Sequence, residues 1–292
     1  MNEQALAFPC RGSTLIGILH KPPQPRRRGV VVVVGGGPQY RVGGHRQLTL
    51  WSRRLCAEGY AVLRFDYRGM GDAQGDFRGF LEVDDDIQCA IGQLTAAVPE
   101  LDEIVLWGEC DAASAILLYA GRDPRVKGVV LLNPWVRTEA LQAQAVLRHY
   151  YLRRLFEPTL WKKVLGGGFD VRASLRSALQ LARKARTARH SPPSGRSADV
   201  GDAGPVPRHL PLPESLLIGL QRFKGRVMLV LSGRDLIARE FEAAVAASPA
   251  WQRCLQERGT TRHEMAVGDH TFSSAAQRGQ VVQWGLQWLS QW

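Results

Sequence analysis

Ile104-Val105-Leu106-Trp107-Gly108-Glu109-Cys110-Asp111-Ala112-Ala113-Ser114 decides how the rest of the chain is read. Its first four residues form a short apolar run without alternation, which suits a strand buried on both faces of a parallel sheet, and Ala112 to Gly121 reads as a helix. Between them stands a pattern related to G-x-S-x-G. There, small residues two before and two after the central one allow a sharp strand-to-helix turn that presents the central side chain. Here cysteine takes the central place and Ala112 the last small one. A thiol at a helix N-terminus faces the positive end of the dipole, which favours its ionised form, whereas the adjoining Glu109 and Asp111 oppose it.

Outward from this segment the same rhythm repeats. Gly29 to Val34, Ala61 to Asp66, Val129 to Leu132 and Val227 to Leu231 are further continuous apolar strands, and His263 to Val267 is strand-like. Helical stretches separate them at His45 to Glu58, Phe80 to Ala97, Arg239 to Arg258 and Ser273 to Leu289. This predicts an α/β protein with a mostly parallel central sheet and helices on both faces. Ala5 to Cys10 and Thr14 to His20 flank Arg11-Gly12-Ser13 and read as a hairpin that adds antiparallel strands at one edge.

The rhythm stops after Pro134. Thr138 to Leu155 and Val171 to Arg189 look helical and basic, and Ser191 to Pro213 is rich in Pro, Gly, Ser and Asp. We therefore expect three stretches: a first part of the core (1–134), a helical basic lid with a mobile Pro-rich loop (135–225), and a second part of the core (226–292). Residues 136–226 carry 17 Lys and Arg against 6 Asp and Glu, the whole of the chain's formal net charge of +11. Such a basic insert in a neutral body suits an anionic membrane surface or an anionic substrate, and no nucleic acid is expected. A solvated Arg-rich face is the plainer reading of the same charge.

Composition narrows the classes further. With 292 residues and 45% hydrophobic content, the chain supports a large core and is not a disordered tail or a stapled mini-protein. Its five cysteines, Cys10, Cys56, Cys89, Cys110 and Cys254, have neither a disulfide framework nor metal-ligand spacing, so a reducing compartment and no metal are expected. Neither a signal segment nor a membrane-length apolar run is read, which points to the cytoplasm. No dinucleotide or P-loop fingerprint is complete: Tyr40 and Gln74 stand where the last glycine of G-x-G-x-x-G would fall. No cofactor is expected.

A nucleophile needs a base, an acid and an oxyanion hole, in which two donors face the developing charge. His270, in Gly268-Asp269-His270-Thr271, comes after the nucleophile in the chain and just before the last helix. It is the expected base. Asp235, just past the strand Val227 to Leu231, is the expected acid, with Asp269 as the alternative. The expected oxyanion donors are the backbone amides of Asp111, next after Cys110, and of Gly37, in the turn Gly35-Gly36-Gly37-Pro38. His45 follows that turn and either lines the site or caps a helix. These residues predict cleavage of an ester or thioester in a small acyl substrate through an acyl-cysteine intermediate. Acyl transfer on the same triad is one alternative; a non-catalytic binding protein docking through the basic lid is another.

With these residues assigned, the chain resembles the α/β-hydrolase superfamily over nearly its whole length. More narrowly, Gly35-Gly36-Gly37-Pro38-Gln39-Tyr40-Arg41-Val42-Gly43-Gly44-His45-Arg46, Phe65-Asp66-Tyr67-Arg68-Gly69-Met70-Gly71-Asp72 and Gly108-Glu109-Cys110-Asp111-Ala112-Ala113-Ser114 are similar to the exosortase A system-associated hydrolase 1 family. The resemblance implies an α/β-hydrolase fold with an inserted lid, and a cytoplasmic bacterial hydrolase from an exosortase, PEP-CTERM and exopolysaccharide setting. The cysteine also resembles that of dienelactone hydrolases, whose elbow context differs.

Overall fold

The computed structural model describes residues 2–37, 39–137 and 204–292. Eight strands form one sheet: β1 (Asn2–Cys10), β2 (Ser13–Lys21), β3 (Arg28–Val33), β4 (Ala61–Asp66), β5 (Glu103–Glu109), β6 (Val126–Leu132), β7 (Arg226–Ser232) and β8 (Thr261–Met265). Their spatial order is β1-β2-β4-β3-β5-β6-β7-β8. β2 runs antiparallel to both β1 and β4, and every later pairing is parallel. Val30 to Val33 are fully buried because β3 lies between β4 and β5 with helices on both faces. The turn joining β1 to β2 has positive φ at Arg11 (47°) and Gly12 (81°), as a two-residue hairpin whose twist matches its strands requires.

Among the described residues the helices are α1 (Gln47–Ala57), α2 (Asp84–Ala97), α3 (Asp111–Tyr119), α4 (Leu212–Arg222), α5 (Leu236–Ala247), α6 (Pro249–Glu257) and α7 (Ala275–Leu289). Three depart from expectation. The stretch from Arg239 to Arg258 is two helices, because Pro249 forces Ser248 into an extended conformation (φ −126°, ψ 108°), and Ser248 then caps α6 through Trp251 N–H. Phe80 to Glu82 is a separate 3-10 turn, and α2 begins at Asp84 with three aspartates in its first turn, where the dipole favours them. α1 begins at Gln47 because His45 and Arg46 have positive φ (52° and 61°), so neither continues the helix backwards. His45 makes no side-chain cap.

Most of the expected lid falls outside the described residues. Its basic helices, and most of its Pro-rich loop, lie in 138–203, outside the described residues. Residues 204–225, however, belong to the core. Val206 is buried despite its Pro-rich neighbours, and α4 buries Leu216 and Leu220 against α3, followed by Phe223. Gly219 allows the close approach, since a Cβ there would collide with the Leu117 carbonyl. Burying two leucines contributes roughly 1.5–3 kcal/mol each. The basic residues described here are also engaged: Arg137 pairs with the buried Glu240, and Arg208 with Asp84.

The chain leaves β3 for β4 on one side and returns to β5 on the other, so the order reverses around β3. A crevice opens beyond the carboxyl ends of parallel strands at such a point. The ends of β3, β5, β6, β7 and β8 deliver Gly35, Cys110, Asn133, Asp235 and His270 to that one edge.

Candidate active site

Cys110 occupies a backbone conformation (φ 59°, ψ −125°) that a side-chain-bearing residue rarely adopts. Strain of this kind costs about 1–3 kcal/mol and persists only where the surroundings impose it. They do so here through the main chain. Cys110 N–H donates to Leu132 O (2.8 Å) and Trp135 N–H to Cys110 O (3.1 Å). Small neighbours make the turn possible: a Cβ on Gly108 would lie 2.7 Å from Ile116 Cδ1 and 3.1 Å from Ala112 Cβ. Ser114, four residues on, is fully buried, with its hydroxyl donating to Trp135 O, so cysteine is the residue presented at the elbow.

His270 Nδ1 lies 2.9 Å from Asp235 Oδ2. Asp235 is buried and also caps α5, its two oxygens accepting from Ile237 N–H (3.1 Å) and Ala238 N–H (3.2 Å). The Asp235 contact, followed by the neighbouring Cys110 thiol, pushes the His270 imidazole up to about 10 against the opposing effect of burial. The structure thus brings Cys110, His270 and Asp235 together. Asp269, the alternative acid, is turned elsewhere and accepts from Ser273 N–H (2.9 Å) and Ser273 Oγ. Burial acts against it, but those Ser273 bonds hold its carboxyl below the usual range. His263 sits in β8, stacked on Trp284 with centroids 4.6 Å apart.

The glycine turn after β3 packs directly on the elbow. A Cβ on Gly35 would strike Glu109 O and come within 2.7 Å of Asp111 Oδ1, so only glycine fits. The Asp111 carboxylate accepts Gly36 N–H and lies against the amides of Ala112 and of Asp111 itself. Burial raises its pKa, and these amides counter the rise. The Asp111 amide, expected to face an oxyanion, therefore has its own side chain beside it. Gly37 (φ 34°) has no close neighbour among the described residues: a Cβ there would meet none of them within 4 Å.

Two contributors escaped the sequence reading. Asn133 is fully buried with φ 46°, and its amide donates to His270 O (3.0 Å) and Ser232 Oγ (3.0 Å) while accepting Ser232 N–H (2.8 Å). It ties the ends of β6 and β7 to the histidine loop. Asn133-Pro134 after a strand was the available signal, since asparagine tolerates a left-handed turn. Gln47, at the start of α1, donates from Nε2 to Glu109 Oε2 beneath the elbow, and no local pattern marks it.

A family model described as serine aminopeptidase, S33, matches residues 25–186, more than half of the chain. The quorum-quenching protein AidA of Acinetobacter baumannii (strain MDR-ZJ06) is 34% identical over 101 residues, covering 32% of this chain. The chain thus spans about a third of the length of that curated relative, 33%. Among solved structures, the Pyrococcus furiosus esterase Pf2001 superposes with a TM-score of 0.63 at 14% identity, covering 100% of this chain and 91% of that one. The Pyrococcus horikoshii acylaminoacyl peptidase gives 0.60 at 15% identity, covering 99% of this chain and 41% of that one. These two similarities bear on the fold, which is that of the α/β-hydrolases. The family match, carried on that fold and with cysteine at the elbow, makes this chain a member of the serine aminopeptidase S33 family of hydrolases.

Proposed function

We propose that this esterase-like hydrolase cleaves esters or thioesters of small acyl substrates through an acyl-cysteine on Cys110. The supporting observation is the strained backbone at Cys110 within reach of a histidine that Asp235 orients. His270 takes the thiol proton, and the thiolate attacks the substrate carbonyl. The tetrahedral intermediate collapses as the leaving alcohol or thiol receives that proton. Water, deprotonated by His270, then attacks the thioester carbonyl and releases the acid; the returning proton restores the thiol. Asp235 holds the imidazole tautomer, and the Gly37 and Asp111 amides draw on the oxyanion. The Asp111 carboxylate must turn aside for its amide to serve in this way.

The narrower kinship with exosortase-associated hydrolases rests on the three quoted motifs. Attraction of an anionic substrate or membrane rests on the charge of residues 136–226. Intact mass spectrometry after brief incubation with a p-nitrophenyl ester tests the mechanism. An acyl adduct is expected on the wild-type protein and not on Cys110→Ala. Turnover by Cys110→Ala at the wild-type rate overturns the assignment.

A further inference from the structure

Glu109 is the buried acid that the proposed mechanism leaves without a task. It closes β5, immediately before Cys110, and is 8% exposed. Gln47 Nε2 donates to its Oε2, but among the described residues Glu109 Oε1 has no partner, and neither has Gln47 Oε1. Leaving two buried acceptors unsatisfied is unfavourable, since each has given up its bonds to water. The two orphans belong to the two groups already joined by one hydrogen bond. A single proton on Glu109 Oε1, donated to Gln47 Oε1, satisfies both and closes a cyclic acid–amide pair.

We propose that Glu109 is held as a neutral carboxylic acid, doubly hydrogen-bonded to Gln47, so that no second anion stands behind Cys110. Charged and titratable groups face it from several elements: His270 and Asp269 from the loop after β8, Asp235 from the loop after β7, and Cys110 on its own turn. Three of these are acids or become anionic on losing a proton. One is a cation when protonated. Burial is the dominant influence and pushes the Glu109 carboxyl up to about 8, outweighing the positive charge of His270 and the Gln47 bond. Below that pH the pair is neutral. Above it, a carboxylate beside Cys110 opposes both the thiolate and the tetrahedral oxyanion, so turnover falls. Glu109 is thus a positioning residue, placed to keep charge away from the reacting sulfur.

The stability consequence has a definite sign. An unfolded Glu109 ionises near 4.5 and the folded one near 8. The folded state therefore binds the extra proton between these values, and stability falls as pH rises through the window. Glu109→Gln keeps the neutral pair without that penalty, because a glutamine amide can donate to Gln47 Oε1 and accept from Gln47 Nε2.

Infrared spectra of wild type and Glu109→Gln at pH 7 test this on the resting protein, without any substrate. A protonated carboxyl band is expected in the wild type, absent from Glu109→Gln, and converted to carboxylate as pH passes about 8. Melting curves should show Glu109→Gln above wild type at pH 8, with the gap closing toward pH 4.5. The activity arm rests on Cys110 as nucleophile: the alkaline fall of kcat/KM near pH 8 should vanish in Glu109→Gln. No lost carboxyl band, or a Glu109→Gln protein that melts lower or fails to fold, overturns the proposal. A mechanism without Cys110 would leave the infrared and melting results standing, so the two failures are distinguishable.

Discussion

At the end of β5, Cys110 is placed by main chain: a positive φ, hydrogen bonds to Leu132 and Trp135, and small residues at 35, 108 and 112 that let the glycine turn and α3 close around it. At the ends of β7 and β8 the opposite holds. His270 is placed by side chains, with Asp235 on its ring, Asn133 on its carbonyl, and Phe272 packed 6.3 Å from Trp51 behind it. A turn fixed by backbone sterics tolerates a change of the presented side chain but not of its small neighbours. A loop fixed by polar side chains tolerates neighbours but not the loss of one partner.

This contrast can be broken most sharply at Cys110. Cys110→Ala should reduce turnover to background while the melting temperature stays close to wild type, because the main chain holds the turn; activity assays beside calorimetry check both. Asp235→Asn should lower kcat by roughly 10³ to 10⁴-fold through the wrong imidazole tautomer. Part of the α5 cap survives, since the amide oxygen still accepts one backbone N–H. Gly35→Ala tests the backbone side: its Cβ collides with Glu109 O, so both kcat and melting temperature should fall, as overpacking costs about 1–3 kcal/mol. Asn133→Ala should spare the Cys110 turn and loosen the histidine loop, lowering kcat about tenfold, the effect of some 1.4 kcal/mol. The smallest change is expected for Asp269→Asn. Its oxygen can still accept from Ser273, and kcat should stay within about threefold, the range of changes that remove no buried partner. An Asp269→Asn effect larger than that of Asp235→Asn would exchange the two acids.

The same contrast explains what the sequence disclosed. The parallel strands and the elbow were legible because both are local: runs of valine, and small residues at fixed offsets around Cys110. Asp235 and His270 were legible as residues at strand ends in a known chain order. Asn133 and Gln47 were not, because each acts across long sequence separations, Asn133 on His270 and Gln47 on Glu109. The position of the Asp111 carboxylate was equally hidden, since it depends on how closely Gly35 approaches. The break at Ser248 had a local signal in Pro249, although the stretch was read as one helix. The placement of α4 had none, because its partner surface on α3 is some hundred residues away.

Beyond Arg137 the chain departs from a fixed anchorage. Ser114 Oγ donates to Trp135 O, Trp135 N–H donates to Cys110 O, and Arg137 lies over the Trp135 ring (4.7 Å) while paired with Glu240. Mechanically, residues 135–137 and the elbow cysteine share one bracket. A pull on the chain beyond Arg137 reaches the Cys110 carbonyl through a single hydrogen bond from Trp135, and the His270 carbonyl through the backbone and the Asn133 side chain. Tension there would act on both sides of the site at once, which makes Trp135 the natural place to attach a probe of strain.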